Sequence, residues 1–275
     1  MYTHNEILKQ ALKEKRVLIA AHRGTCGGNI CQNNHLSYKA ALLHGADMVE
    51  IDVIRTTDGV FYAFHNGTEM ENLHLNADIR TLSSAEADQQ ILYNWLDKSS
   101  GLHLEKLEDL LDEFENQCLI NIDRSWFYWK EIIEFLTSRT KHDEIILKSA
   151  PDAELLKVLE ESGSDIMYMP IVKTLEDWER TKQYHINVAA VEVIFPTLDH
   201  PLVAPEMFNE WKEAGIIPWV NAITLGEEER FRLSAHLDDN HAISDGFDES
   251  WGELIRMGFG IIQTDWPGLL KNYIR

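Results

Sequence analysis

The segment that decides the fold runs from Val17 to His65 and contains three apolar runs that end in, or carry, polar residues. They read VLIAA at 17–21, followed by His22-Arg23-Gly24, then MVEIDV at 48–53 and VFYAFH at 60–65. Short apolar runs bounded by turn residues are typical of buried strands. Because side chains alternate along a strand, Glu50 and Asp52 are predicted to share one face. Two such carboxylates repel each other unless a cation lies between them, and oxygen ligands suit Mg²⁺ or Ca²⁺.

Strands alternate with helices in the rest of the chain. Strands are predicted at 17–22, 47–54, 118–124, 144–149, 165–170, 188–194, 216–221 and 260–264. Helices are predicted at 34–44, 105–115, 126–139, 152–162, 174–184, 204–214 and 267–274, with a helical region at 226–257 broken by Asp245-Gly246. Eight such alternations predict a single (β/α)8 barrel, the TIM barrel.

Three further segments are added to this pattern. Residues 3–14 are predicted to form an amphipathic helix, with Thr3 or Asn5 as its cap, packed under the N-terminal face of the barrel. Residues 60–65 are predicted to form a short extra strand. Residues 66–103 lack a strand–helix rhythm, so we expect an insertion after the second strand that lies over the barrel mouth. Without a linker or repeat, residues 1–275 are expected to be one domain.

Composition narrows the classes of partner. A net charge of −21 disfavours non-specific binding to nucleic acid or to an anionic membrane. Three cysteines, Cys26, Cys31 and Cys118, do not suggest a disulfide framework. There is neither a basic and apolar leader nor an apolar stretch long enough to span a bilayer, so a cytoplasmic protein is expected. The oligomeric state stays open.

Chemically useful side chains are predicted to gather at the carboxyl ends of the strands, where TIM barrels carry their active sites. The set comprises His22, Glu50, Asp52, His65, Asn121, Asp123, Lys148, Trp219, Asn221, Thr264 and Asp265. So many polar residues would be costly in a core, so a shared pocket is the better explanation. His22 and His65 flank the Glu-x-Asp pair. Because histidine can accept and donate a proton near neutral pH, they are the candidate acid and base.

The combined motifs resemble the glycerophosphodiester phosphodiesterases. These motifs are His22-Arg23-Gly24, then GADMVEIDV at 45–53, Thr56-Thr57-Asp58-Gly59 and a strand ending in His65. The resemblance implies a TIM barrel that cleaves small-molecule phosphodiesters with two histidines, His22 and His65, and one divalent cation. It also implies Glu50, Asp52 and Asp123 as metal ligands.

The substrate contacts are a further set of expectations. Arg23 follows a strand end and could bind a phosphate oxygen. The segment Trp219-Val220-Asn221 resembles the family's Trp-Thr-Val-Asn strand, which makes Trp219 and Asn221 candidates for substrate binding. A core position for Trp219 is nearly as well supported by the sequence.

The chain departs from the family pattern at several positions. Asn66 replaces an Asp, Gln32-Asn33-Asn34-His35 replaces Pro-Glu-Asn-Thr, and Ser125 stands where a lysine is common; Lys148 could reach the same phosphate. Three functions therefore remain open: a glycerophosphodiester hydrolase, a phospholipase D-like enzyme acting on lysophospholipids, and a catalytically weakened barrel that binds a phosphorylated ligand. The alcohol, the choice between Mg²⁺ and Ca²⁺ and the roles of the two histidines also stay open.

Overall fold

The computed structural model describes residues 5–226, 228 and 232–275. Its strands are β1 (Leu18–Ala21), β2 (Met48–Arg55), β3 (Phe61–Ala63), β4 (Ile91–Tyr93), β5 (Ser99–His103), β6 (Leu119–Asp123), β7 (Ile145–Ser149), β8 (Met167–Val172), β9 (Ala190–Val193), β10 (Ile217–Asn221) and β11 (Ile261–Thr264). Its helices are α1 (Asn5–Lys13), α2 (His35–Leu43), α3 (Glu69–Leu73), α4 (Ser84–Ala87), α5 (Leu107–Phe114), α6 (Trp129–Thr137), α7 (Ala153–Ser162), α8 (Leu175–Thr181), α9 (Pro205–Ala214), α10 (Asp239–Ser244), α11 (Trp251–Met257) and α12 (Pro267–Ile274).

Eight parallel strands close into a barrel. The order around it is β1, β11, β10, β9, β8, β7, β6 and β2, and β2 pairs again with β1. Helices connect successive barrel strands, which confirms the predicted TIM barrel. β3 pairs antiparallel with β2 and forms the expected extra strand.

Alternation along the strands builds two cores. On β2, Val49, Ile51 and Val53 face outward and pack against the surrounding helices. Met48 faces the barrel interior, where a second cluster fills the N-terminal end. Leu8 of α1 belongs to that inner cluster, so α1 closes this end as predicted; Thr3 lies outside the described residues.

The segment 66–103 has more structure than its sequence predicts. It holds α3, a 3₁₀ turn at Ile79–Thr81, α4, and the antiparallel hairpin of β4 and β5. Leu73, Ile79, Ala87 and Leu92 form a separate apolar cluster with residues of β2 and β3. The insertion therefore packs on the β2–β3 edge of the barrel.

Two helical predictions need correction. Within the predicted region 226–257, residues 232–238 are not helical, whereas α10 and α11 are; residues 227 and 229–231 lie outside the described part. A backbone bridge between Phe195 and Ser234 holds the non-helical segment. The predicted helix 126–139 begins with a 3₁₀ turn at Ser125–Tyr128. Across the described ranges, no helix combines the length and apolar character needed to cross a bilayer.

Candidate active site

Two buried carboxylates and a third that is partly exposed meet inside the carboxyl end of the barrel. Glu50 and Asp52 share the inner face of β2, and Asp123 on β6 is the register partner of Asp52. One oxygen from each lies within 4.8 Å of the others. Parallel pairing of β2 with β6 therefore brings together three residues that are distant in the sequence.

The two carboxylate oxygens of Glu50 differ in their contacts. Its Oε2 accepts a hydrogen bond from the backbone N–H of Arg23 at 2.9 Å. Its Oε1 is buried and has no hydrogen-bond partner among the described residues. Burial raises the pKa of Glu50 well above its usual range, and the charges of Asp52 and Asp123 raise it further. A hard divalent cation fits this set of oxygen donors, because it would satisfy the orphaned atom and offset the repulsion.

Asp52 is held by Asn33 on both its side chain and its backbone. Asn33 Nδ2 donates to Asp52 Oδ2 at 2.9 Å, and Asn33 Oδ1 accepts from the Asp52 N–H at 3.1 Å. The hydroxyl of Tyr38 also donates to Asn33 Oδ1. Arg23 Nε lies 3.0 Å from Asp52 Oδ2 and supplies a positive charge. These contacts fix the rotamer of Asp52.

Asp123 is held by a buried lysine. Lys148 Nζ lies 2.8 Å from Asp123 Oδ2 and 3.3 Å from Glu192 Oε2. Although burial alone would raise the pKa of Asp123, the charge of Lys148 leaves it below its usual value. Glu192 accepts from Asn221 Nδ2 at 2.9 Å, and Asn221 Oδ1 accepts from Trp219 Nε1 at 2.7 Å. A chain of polar contacts thus crosses the barrel from β6 to β10.

His22 is oriented by the carboxylate of Asp265, the residue that follows the last strand. Its Nδ1 lies 2.8 Å from Asp265 Oδ1, and because a carboxylate only accepts, Nδ1 carries the proton and Nε2 remains for proton transfer. The turn after His22 requires a glycine. Gly24 has φ +77°, and a Cβ there would lie 2.6 Å from the backbone carbon of Ser37.

His65 has a different environment. Its Nδ1 is buried and lacks a hydrogen-bond partner in the part of the chain that the structure describes. Burial lowers the pKa of His65, although the charge of Asp52 opposes this shift. Beside it, Arg124 Nε donates to Asn66 Oδ1 at 2.9 Å, and Arg124 also lowers the pKa of His65.

A cavity of about 680 Å³ opens beside His22. Its wall includes Arg23 and Asp265 from the barrel, and Glu71, Trp95 and Asp97 from the insertion. Residues of the 66–103 segment therefore share a cavity with a candidate catalytic histidine.

The structure brings Glu50, Asp52 and Asp123 together, places Arg23 on Asp52, and links Asp123 to Asn221 through Lys148 and Glu192. His22 is paired with Asp265, and His65 lies within range of the charge of Asp52. Trp219 is fully buried in the inner apolar cluster, which favours the core alternative, and it contributes through its bond to Asn221. Sequence reasoning missed the contributions of Asn33, Arg124 and Glu192. Arg124 directly follows β6 and Glu192 occupies an inward-facing position of β9, which are the signals that could have pointed to them, whereas Asn33 lies in the loop before α2 and gives no such signal.

Comparisons with known proteins concern the fold. A family described as a domain of unknown function, DUF4996, matches residues 168–274. No curated protein matches the chain. Solved structures titled as glycerophosphodiester or glycerophosphoryl diester phosphodiesterases do match. One of those from Parabacteroides distasonis is 17% identical, with TM-score 0.73 and coverage of 94% of this chain and 86% of that chain.

Two more solved structures show the same likeness. The Thermotoga maritima enzyme is 19% identical, with TM-score 0.64, covering 94% of this chain and 98% of that one. A phosphodiesterase from Oleispira antarctica, in complex with the product sn-glycerol-3-phosphate, is 16% identical, with TM-score 0.65 and coverage of 94% and 96%. At these identities the likeness establishes the fold.

Proposed function

We propose that this chain is a metal-dependent phosphodiesterase that hydrolyses glycerophosphodiesters to glycerol phosphate and an alcohol. The observation that carries the proposal is the cluster of Glu50, Asp52 and Asp123, in which one oxygen of each residue lies within 4.8 Å of the others at the mouth of a barrel. Three converging carboxylates with one orphaned oxygen are the donor set of a hard cation. The likeness to solved phosphodiesterase folds supports the choice of reaction.

Glu50, Asp52 and Asp123 would hold one Mg²⁺ or Ca²⁺. When bound, such an ion polarises a phosphoryl oxygen and lowers the pKa of an oxygen nucleophile. Arg23 and Lys148 lie against the same carboxylates and supply positive charge next to the position proposed for the phosphate. In a chain with a net charge of −21, such local cations are needed to attract an anionic diester.

The two histidines are proposed to move the protons. One removes a proton from the oxygen nucleophile that attacks phosphorus, and the other donates a proton to the oxygen of the departing alcohol. Asp265 fixes the ring of His22 so that Nε2 is the transferring atom. Asn221, through Glu192, is proposed to keep Lys148 in place, and Trp219 supports Asn221.

The test is hydrolysis by purified protein of a panel of glycerophosphodiesters and lysophospholipids, each with Mg²⁺, Ca²⁺ or a chelator. We expect turnover of glycerophosphodiesters that the chelator abolishes. Turnover restricted to lysophospholipids would favour the phospholipase D-like alternative. Metal and glycerol phosphate binding without turnover of any diester would favour a barrel that only binds phosphorylated ligands.

A further inference from the structure

Arg124 is a third cation at the carboxyl end of the barrel, and its contacts differ from those of Arg23 and Lys148. Lys148 Nζ lies 2.8 Å from Asp123 Oδ2. Arg23 Nε lies 3.0 Å from Asp52 Oδ2. The guanidinium of Arg124 forms no ion pair with a carboxylate of the described residues, and its contacts are with neutral groups. Because a carboxylate in contact offsets a positive charge, Arg124 keeps its charge available to an anionic ligand.

Two neutral groups hold the side chain of Arg124. Its Nε donates to Asn66 Oδ1 at 2.9 Å, and its guanidinium carbon lies 5.8 Å from the centre of the Phe127 ring. These contacts use Nε and one face of the guanidinium plane, and neither Nη nitrogen has a hydrogen-bond partner in the part of the chain that the structure describes. The two Nη nitrogens carry four of the five N–H donors of an arginine, and such paired donors match the oxygens of a phosphate.

The guanidinium lies between a candidate metal ligand and a candidate catalytic histidine. Arg124 directly follows Asp123, the last residue of β6, and its partner Asn66 directly follows His65. After burial, the charge of Arg124 contributes to the lowered pKa of His65, so the guanidinium is close enough to act on that ring. A phosphate between the proposed cation and the ring of His65 would therefore lie beside the free Nη nitrogens.

The backbone of Arg124 has a conformation that an arginine rarely adopts. Its φ is +56°, in the left-handed region. Its N–H donates to Asp123 Oδ1 at 2.5 Å, so the chain turns back on the carboxylate that precedes it. A glycine or an asparagine would take this conformation at lower cost. Residues held in such conformations gather at ligand sites, which indicates that the side chain of Arg124 has a role there.

We propose that Arg124 binds a phosphoryl oxygen of the substrate through its Nη nitrogens and that Asn66 positions it for this contact. The inference rests on the proposed phosphodiesterase function and adds the residue that holds the phosphoryl group. Arg124 would touch the substrate, whereas Asn66 would act only through Arg124.

This assignment joins two of the departures from the family pattern. Ser125, where a lysine is common, is fully buried and supplies no cation, and the neighbouring Arg124 supplies one. Asn66 stands where an Asp is usual. An aspartate there would pair with Arg124 and offset its charge, whereas the amide oxygen of Asn66 accepts the same hydrogen bond without doing so. The two changes together leave a positive charge free for the substrate.

The experiment is calorimetric titration of the purified protein with glycerol 3-phosphate in the presence of Mg²⁺. Arg124→Ala should weaken binding by about 10–100-fold, the effect of losing hydrogen bonds to a charged group. Arg124→Lys should lose only part of the affinity, because lysine keeps the charge and lacks the paired donors. Circular dichroism checks that both variants are folded. Wild-type affinity in Arg124→Ala, or in Arg124→Lys if the alanine variant does not fold, would overturn the inference.

Arg80 offers the matched control. Its guanidinium carbon lies 5.6 Å from the centre of the same Phe127 ring, but its Nε and Nη2 donate to the carboxylate of Asp78. Arg80→Ala therefore removes a surface arginine whose charge is already offset, and it should leave the affinity for glycerol 3-phosphate unchanged. A loss equal to that of Arg124→Ala would show that the effect is one of general charge and would overturn the assignment to Arg124.

A double-mutant cycle tests the role of Asn66. Asn66→Ala should weaken the binding of glycerol 3-phosphate to the wild type and should have little further effect in Arg124→Ala, because Asn66 acts through Arg124. A residue that merely supports the fold would give the same loss in both backgrounds. Equal losses would therefore overturn the assignment of Asn66 as a positioning residue.

The binding measurement does not depend on turnover, so the two proposals can fail separately. If the wild type binds glycerol 3-phosphate through Arg124 and hydrolyses no diester, the phosphoryl site stands and the proposed reaction fails. If diesters are hydrolysed and Arg124→Ala keeps both the affinity and the kcat/KM of the wild type, the reaction stands and the inference fails. If the wild type does not bind glycerol 3-phosphate, the inference fails as well.

Discussion

The two ends of the barrel interior are built by the same eight strands and differ in their chemistry. At the N-terminal end, Leu18, Met48, Ile146 and Met167 pack with α1 into an apolar cluster. Two to four residues further along, the same faces present charged and polar groups such as Glu50, Lys148 and Glu192. Side chains alternate between the inside and the outside of the barrel along every strand. The type of residue at each inward position therefore decides whether that layer stabilises the fold or offers groups that can react.

Forming the carboxyl end of the barrel interior, the polar end, costs free energy. Buried charges lose hydration, and a pair offsets that loss only when its geometry and remaining hydrogen bonds are good. Lys148 meets this condition by contacting both Asp123 and Glu192. Glu50 does not, because its Oε1 has no partner among the described residues. A barrel selected for stability alone would fill this layer with apolar side chains, so the network is better explained by function.

The largest effect of any substitution should be the loss of metal binding when the two carboxylates of β2 are removed. In the double variant Glu50→Gln, Asp52→Asn, two of three anionic ligands are lost, and we expect titration calorimetry to show no binding of Mg²⁺ or Ca²⁺. Circular dichroism should show a folded protein, because both amides keep the size of the side chains. Binding equal to that of the parent protein would show that the cation, if any, is held elsewhere.

The next largest effect should come from the histidines. His22→Ala and His65→Ala should each lower turnover by about 10²–10⁴-fold while substrate binding is largely kept. The double variant should be little worse than the worse single one, because the two act as a unit. A nitrophenyl diester, whose leaving group needs little protonation, should rescue only the variant that lacks the acid. Near-parental turnover in both single variants would make the pair structural.

The apolar end should affect stability alone. Met167 on β8 is fully buried in the inner cluster, so Met167→Ala should lower the free energy of unfolding by about 2–5 kcal/mol. Urea denaturation measures that loss. Metal affinity measured on the folded variant should be unchanged, and a large loss of affinity would show that the two ends are coupled.

The sequence predicted the fold more completely than it predicted the candidate site. The barrel strands were predictable to within a few residues because parallel strands buried on both faces leave clear apolar runs. The β4–β5 hairpin was not, because Ser99–His103 is half exposed and has no apolar alternation. The contact of Lys148 with Glu192 joins two strands, β7 and β9, which lie on either side of β8, so it depends on the order of the strands in the barrel. The contact of Asn33 with Asp52 depends on a loop conformation with φ +54° that no local pattern indicates.

The polar end should also carry a pH dependence of stability. Asp239, behind β11, accepts hydrogen bonds from Trp251 Nε1, Thr264 Oγ1 and the N–H of Asp265. Burial raises its pKa to about 7 despite these donors. Between about pH 4 and pH 7 the folded state therefore holds one more proton than the unfolded state, so stability falls as pH rises.

The unfolding free energy of the wild type minus that of Asp239→Asn should accordingly fall by about 3 kcal/mol from pH 4.5 to pH 7. Met167→Ala is the control, because its deficit should be the same at every pH. Denaturant unfolding across this range measures both variants. A difference that stays constant for Asp239→Asn would show that Asp239 is ionised throughout.

The smallest effect should come from Asn33, which tests whether the polar end needs its supporting residues as well as its ligands. Asn33→Gly keeps the positive φ and removes the bonds to Asp52 and Tyr38. Without them Asp52 must be ordered when the cation binds, and the loss of such a support typically costs about 10–100-fold in metal affinity. Asn33→Asp should cost at least as much, because a carboxylate would replace the donor facing Asp52 Oδ2.

The matched control is the neighbouring Asn34, whose Oδ1 caps α2 by accepting from the N–H groups of Leu36 and Ser37. Asn34→Ala should lower stability by about 1 kcal/mol through loss of the cap and leave metal affinity unchanged. Calorimetric titration of all three variants, with urea unfolding beside it, separates the two roles. If Asn33→Gly binds the metal as tightly as Asn34→Ala does, Asn33 serves the loop only. The strands alone would then position the metal ligands at the polar end, as they position the core side chains at the apolar end.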